Sequence, residues 1–272
     1  MAILSELNGS RELIANLTLR ELRGKYKRSV LGWAWSLLNP LSTMLIFSLV
    51  FAYFLQIKVR AGRPSGLRSF AFYLLIGLLP WNFLSNGING SMSALVSNSN
   101  LIKKVYFPRQ VLVIANVASW VVSLLIEMSV LSIALLVVGS FVIPWLVPVL
   151  LLVVIQTAFV AGIGLGLSVL NVYFRDMEHL TNIGLQLWFY ATPIVYPLEL
   201  VKGRGMFHGV DVYFVYRLNP MVRFVQAYRD CLYDLRLPAF GDLAYLVVAA
   251  AVALVGGMAI FIRLEPKLAE EL

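Results

Sequence analysis

The chain has 272 residues, about 60% of them hydrophobic and only 13% charged, with a formal net charge of +8. A soluble domain carries roughly 25% charged residues, so this much apolar surface cannot be clothed in water and a bilayer is implied. The excess of basic residues does not point to nucleic acid, because they are spread over loops on both predicted faces; anionic lipid headgroups are the plainer partner.

Residues 10–28 read as an amphipathic interfacial helix. Ser10 can cap it, Glu12 sits at the positive end of the dipole, and Leu13, Ile14, Leu17 and Leu22 group on one side, with Arg11, Arg20, Arg23 and Lys27 for cationic reach. No signal peptide is expected, since the first 28 residues lack an early apolar core. Crossing the hydrocarbon takes about 20 apolar residues, and the uncharged stretches predict six spans, near 33–57, 70–92, 109–138, 146–171, 180–197 and 243–262. Gly139, Pro144 and Pro148 mark the turn between the third and fourth. Residues 198–240 alternate polar positions with apolar runs such as Val212 to Tyr216 and Met221 to Tyr228, which predicts short external re-entrant helices; Pro193 and Pro197 end or kink the fifth span.

The fold class is therefore all-α integral membrane, a single transmembrane domain over 1–272. The basic cluster before span one, with Lys103, Lys104 and Arg109 after span two, favours a multi-pass plasma-membrane protein with both termini cytoplasmic. Lys58, Arg60, Arg63 and Arg68 in the first external loop oppose that orientation, so charge counting alone leaves it open.

Little in the sequence supports bond-breaking chemistry. Glu127 is the one ionisable candidate within the spans, either hydrogen-bonded between helices or lining a hydrated path, and it has no evident partner. His179 and His208 fall in predicted loops on opposite faces and cannot share a metal. Cys231 is the only cysteine, which excludes an internal disulfide and a cysteine-based metal site. No G-x-x-x-x-G-K-[ST] sequence occurs, and Gly162, Gly164 and Gly166 fit close helix packing better than phosphate binding. Aromatic residues cluster at Trp33 and Trp35, at Tyr53 and Phe54, at Trp81 and Phe83, and at Trp188, Phe189 and Tyr190. Interfacial belts explain such clusters; an aromatic face that stacks on sugar rings while letting them slide is the second reading.

Several stretches, in order along nearly the whole chain, resemble the membrane permease of bacterial ABC-2 type polysaccharide exporters, the family of O-antigen and teichoic-acid export permeases. They are Leu19 through Trp33-Ala34-Trp35 to Asn39-Pro40, Leu101 to Arg109, Asn171 to Asp176, Thr192 to Pro197, and Leu218-Asn219-Pro220. The resemblance implies a homodimer joined to two copies of a separate ABC ATPase, which binds the ATP and magnesium, so that this chain needs no cofactor. The substrate it implies is a glycan on polyprenyl diphosphate or a similar lipid. It also implies a channel lined by Trp33, Trp35, Tyr53, Trp81, Phe83, Trp188 and Tyr190, and an external gate at Pro193, Tyr196, Asn219 and Pro220. A coupling helix would dock on the ATPase through Lys103, Lys104, Phe107, Pro108 and Arg109, with Arg175 and Asp176 at the same cytoplasmic face. External Arg217, Arg223 and Arg229 would be solvated loop charge or would screen an anionic substrate. The rival readings are an ABC-2 exporter of small hydrophobic drugs, an ATP-independent flippase or transferase, and a membrane scaffold.

Overall fold

The computed structural model describes residues 11–25, 32, 34–54, 56, 59–105, 107–198, 200, 206–207 and 210–271. Trp33, His208, Lys58, Ser10 and the end of the predicted interfacial helix at 26–28 lie outside the described residues. In chain order the elements are α1 (Arg11–Lys25), α2 (Ala34–Phe47, prolonged by a π-helical segment, Ser48–Phe54), α3 (Phe70–Ser97), α4 (Ser99–Lys104) and α5 (Gln110–Val137). A 3-10 turn, Ile143–Trp145, leads into α6 (Leu146–Tyr173), followed by α7 (Met177–Tyr190). Then come a two-residue antiparallel pair, β1 (Met206–Phe207) and β2 (Val210–Asp211), then α8 (Val212–Leu218), α9 (Pro220–Leu232) and α10 (Phe240–Leu264). The chain closes on a 3-10 turn, Glu265–Lys267, and α11 (Leu268–Glu271).

Five stretches among the described residues are long and apolar enough to cross a bilayer: 37–54, 70–97, 110–137, 143–173 and 240–267. They match five of the six predicted spans. The remaining one, expected over 180–197, differs: its helix is α7, 14 residues long, about 21 Å at ~1.5 Å per residue, against a hydrocarbon core of ~30 Å. The amides of Ala191 and Thr192 close the last turn on Leu187, and on Phe189, and Pro193 then prevents the helix from continuing.

Helix α3 is the centre of the bundle. In its apolar stretch 72% is buried, against 6% for α2, and it packs on α5, α6 and α9 through a core that includes Leu74, Ile76, Leu84, Ile88 and Met92. Buried polar side chains stitch the helices: Gln156 of α6 donates to the Pro80 carbonyl (2.8 Å) and accepts from the Tyr228 hydroxyl (3.0 Å), and Asn171 donates to the Met92 carbonyl (3.1 Å). In lipid, close approach through small residues substitutes for the hydrophobic drive available in water. The α6–α10 contact shows this at Gly162 and Gly257, where a Cβ on either would overlap backbone of the facing helix. Gly257→Val is therefore expected to destabilise the bundle by at least about 1–3 kcal/mol, read as a lower Tm in detergent. Gly256→Val, whose Cβ meets open space, is expected to leave Tm unchanged.

At one end of the bundle, α9 is held by charge. Arg229 is only 2% exposed. Its guanidinium donates to the carbonyls of Pro193 (2.7 Å), Ile194 (2.7 Å) and Tyr73 (3.3 Å) and lies 3.5 Å from the centre of the Tyr73 ring. The expectation that it is a solvated or substrate-facing external charge is thus corrected: helix periodicity puts it on the same face as the buried Val222 and Val225. Arg217 and Arg223 instead reach Asp242 of α10, at 3.3 and 2.9 Å. Next to them, Asp234 accepts from Arg60 (2.6 Å) and from the Arg63 amide (3.1 Å), which fastens the 59–69 loop to the end of α9, and Asp230 accepts from Arg236 (2.6 Å) in the segment that follows.

Candidate functional site

Polar residues placed along one side of a membrane helix mark water or polar cargo, because facing them to lipid is costly. Asn82, Asn86, Asn89, Ser93 and Ser97 of α3 fall within an arc of about 80° at ~100° per residue. Asn86, Ser93 and Ser97 are exposed and Asn82 and Asn89 half-buried, although the opposite side of α3 is the core of the bundle. The serine hydroxyls bond back to their own helix, Ser97 to the Ser93 carbonyl (2.7 Å) and Ser93 to that of Gly90 (3.1 Å). The amides of Asn82 and Asn86 have no hydrogen bond among the described residues, and the Asn89 Oδ1 is buried without one.

This polar row ends in a cavity of about 240 Å³ lined by Lys25, Trp35, Asn39, Pro40, Asn82, Asn86, Trp120 and Glu127. Four elements meet there: the last residue of α1, the first turns of α2, and the middles of α3 and α5. Asn82 and Asn86 flank the midpoint of a 28-residue helix, and Ser123 stands at the midpoint of another, so the cavity lies about 21 Å from either end at ~1.5 Å per residue. Helix α1 reaches it by packing along α5, where the Thr18 hydroxyl contacts the Ala115 carbonyl (3.4 Å) and Lys25 donates to Ser123 (3.4 Å). Leu17 and Leu22 supply its buried side. The Lys25 Nζ sits 3.3 Å from the centre of the Trp120 ring, and the Trp120 Nε1 is buried with no hydrogen-bond partner among the described residues.

Burial pushes the Lys25 ammonium down to about 7, against opposing attraction from Glu21 and Glu127. Because the folded value lies below that of an unfolded lysine, Lys25 costs stability most fully below pH ~7. The cost fades as pH rises towards the ordinary value near ~10.4. Glu127 thus has the charge neighbour that the sequence did not show, contributed by α1. Larger cavities occur elsewhere, but the one between α5, α6 and α10, about 810 Å³, is lined almost wholly by apolar groups and suits acyl chains.

The aromatic residues singled out from sequence divide. Trp35 (44% exposed), Tyr53 (72%) and Tyr190 (65%) are open to the surroundings, and Trp35 lines the cavity. Trp81 and Phe83 are buried; Trp81 meets Trp188 edge-on at 6.1 Å and Phe189 at 5.5 Å. Trp188 donates to the Asn219 Oδ1 (2.7 Å). Asn219 also accepts from the Met221 amide (2.9 Å) to cap α9, just ahead of Pro220, and donates to the Thr192 hydroxyl (3.3 Å). Tyr196 bonds the Tyr190 carbonyl (2.9 Å) and the Tyr216 hydroxyl (3.1 Å), while the Pro193 carbonyl holds Arg229. Pro193, Tyr196, Asn219 and Pro220 are therefore one cluster, with Trp188 and Arg229 as members that the sequence did not connect.

At the opposite end of the bundle, Lys103, Lys104, Arg175 and Asp176 are exposed and Phe107, Pro108 and Arg109 half-buried. The short helix in this loop, α4, ends at Lys104, before Phe107 to Arg109. Arg109 donates to the Glu265 carbonyl (2.7 Å) and the Tyr173 hydroxyl to that of Leu264 (2.8 Å), so the loops after α3 and α6 and the end of α10 form one surface.

The polar row and the Lys25 contact were missed from sequence. The row carried a signal in the 4, 3, 4, 4 spacing of its Asn and Ser residues; the packing of α1 on α5 carried none.

Residues 12–233 match the ABC-2 type transporter family. The chain is 33% identical to the O-antigen export system permease protein RfbA of Myxococcus xanthus, over 99% of both chains. It is 28% identical to the protein of that name from Klebsiella pneumoniae, over 95% of this chain and 94% of the relative. With the polysialic acid transport protein KpsM of Escherichia coli the identity is 26% over 90% of each.

Proposed function

From the premise that the chain belongs to the ABC-2 type transporter family, we propose that it is the membrane permease subunit of an ATP-driven exporter of a lipid-linked cell-envelope polysaccharide. The observation that carries this reading is the exposed polar face of α3, with Asn86 at its middle, on a helix whose opposite side is the core of the bundle. A hydrophobic drug needs no such row, whereas a hydroxylated polymer crossing ~30 Å of hydrocarbon does. Relatives named for O-antigen export and polysialic acid transport support the same cargo class.

The assembly in this reading is two copies of the permease and two of a separate ATPase, which binds the ATP and magnesium. Helix α2, with 6% of its apolar stretch buried, and the exposed Leu180, Ile183, Leu187 and Tyr190 of α7 offer the second copy an uncovered face. Both termini and the Lys103 to Arg109 and Arg175-Asp176 loops lie in the cytoplasm against the ATPase; the Trp188, Asn219 and Arg229 cluster lies outside. Nucleotide binding in the partner biases the population of open and closed channels.

The test is removal of the chain from its host, followed by substitution of Lys104→Glu or Arg175→Glu. Removal is expected to strand lipid-linked glycan in the cytoplasm. Each substitution should lower export roughly tenfold or more, a loss of ~1.4 kcal/mol in coupling, while the permease remains in the membrane. Normal export in both variants would remove the coupling role; no stranded glycan after deletion would remove the exporter reading.

A further inference from the structure

We propose that the mid-height cavity between α1, α2, α3 and α5 is a binding subsite for a single uncharged pyranose ring, held through its hydroxyls by Asn39, Asn82, Asn86, Lys25 and Glu127 and across its C–H faces by Trp35 and Trp120. This deepens the exporter reading and rests on it for the source of the sugar.

The volume sets the size of the ligand. About 240 Å³, against ~150 Å³ for an apolar cavity that takes one benzene, is room for one ring with its hydroxyls. The lining sets its class. Side-chain amides offer donors and acceptors together, an ammonium only donates and a carboxylate only accepts, and vicinal hydroxyls do both. The side-chain amides of Asn82, half-buried, and Asn86, exposed, have no partners among the described residues, so these groups are available to a ligand. Two indoles at one small cavity supply the apolar faces that ring C–H groups need.

The charges exclude the other obvious guest. A diphosphate needs several cationic donors, and the lining offers it Lys25 alone, beside the carboxyl of Glu127. A sialic-type carboxylate meets the same obstacle. A neutral ring needs no counter-charge and uses both groups as hydrogen-bond partners.

Lys25 provides the readout. With its ammonium at about 7, it is largely free base at about pH 7.5, where ordinary lysines near ~10.4 are protonated. An amine-acylating reagent followed by peptide mapping of the purified full-length chain should therefore modify Lys25 well ahead of Lys103 and Lys104. The probes are the methyl glycosides of glucose, galactose, mannose, rhamnose and N-acetylglucosamine, each at ~100 mM, with inorganic pyrophosphate and sialic acid for comparison. At a Kd of ~10 mM, occupancy slows acylation of Lys25 about tenfold. At least one neutral glycoside is expected to give that protection and the two anions none, with Lys103 and Lys104 unaffected throughout. Asn86→Leu and Asn39→Leu should abolish protection while Lys25 remains reactive.

Protection by pyrophosphate alone would overturn the proposal in favour of a phosphate subsite. Protection by no probe would overturn it in favour of a structural charge contact. Neither result touches the exporter reading, which stands or falls on whether deletion of the chain strands lipid-linked glycan.

Discussion

Replacement of Arg229 by methionine is expected to lower stability by on the order of 3–5 kcal/mol. The side chain is fully enclosed and its guanidinium serves the carbonyls of Pro193, Ile194 and Tyr73. Methionine fills much of the volume but leaves those acceptors buried, at ~1–3 kcal/mol for each one left unsatisfied. The readout is the Tm and monodisperse yield of the purified protein in detergent. Arg229→Lys should fall between the two, because an ammonium is a point donor and cannot reproduce the planar fork that reaches two consecutive carbonyls. A wild-type Tm for the methionine variant would show that the irregular segment after α7 is held by something else.

The second large effect concerns transport. Converting Asn82, Asn86 and Asn89 together to leucine is expected to leave stability within about 1 kcal/mol of wild type, read as a nearly unchanged Tm, since Asn86 is exposed and Asn82 and Asn89 are half-buried. Export should nevertheless fall roughly tenfold or more, equivalent to ~1.4 kcal/mol, with lipid-linked glycan accumulating inside. A matched triple change on the lipid-facing side of α10, Val248, Val252 and Val255 to leucine, should leave export intact. Equal loss in both variants would assign the effect to general damage and remove the polar row from the path.

These two cases also show where the sequence was informative. Long uncharged stretches are a property of consecutive residues, so five spans were legible to within a few positions at most of their ends. The expected fifth span, 180–197, was too long because apolar composition continues past Tyr190, while Pro193 and the carbonyls that Arg229 captures turn the backbone away. Arg229 itself was read by its charge; its position four and seven residues after buried Val225 and Val222 along α9 was the better guide. Asn82, Asn86 and Asn89 repeat at helical spacing, a pattern the sequence carries, but uncharged amides inside an apolar stretch do not interrupt it as titratable residues do. The meeting of Lys25 with Ser123 and Trp120 depends on how one amphipathic helix docks against a distant span, and no local pattern encodes that.

The Gly162–Gly257 contact has a mechanical consequence. Two helices whose backbones touch have almost no slack between them, so α6 and α10 bend or slide past one another only by losing that fit. Both are tied at one end to the same node, where Arg109 holds Glu265 and Tyr173 holds Leu264. A push applied to that node is therefore expected to tilt the pair as one unit rather than slide one helix past the other. A larger residue at position 257 would separate the two backbones and let each helix bend on its own.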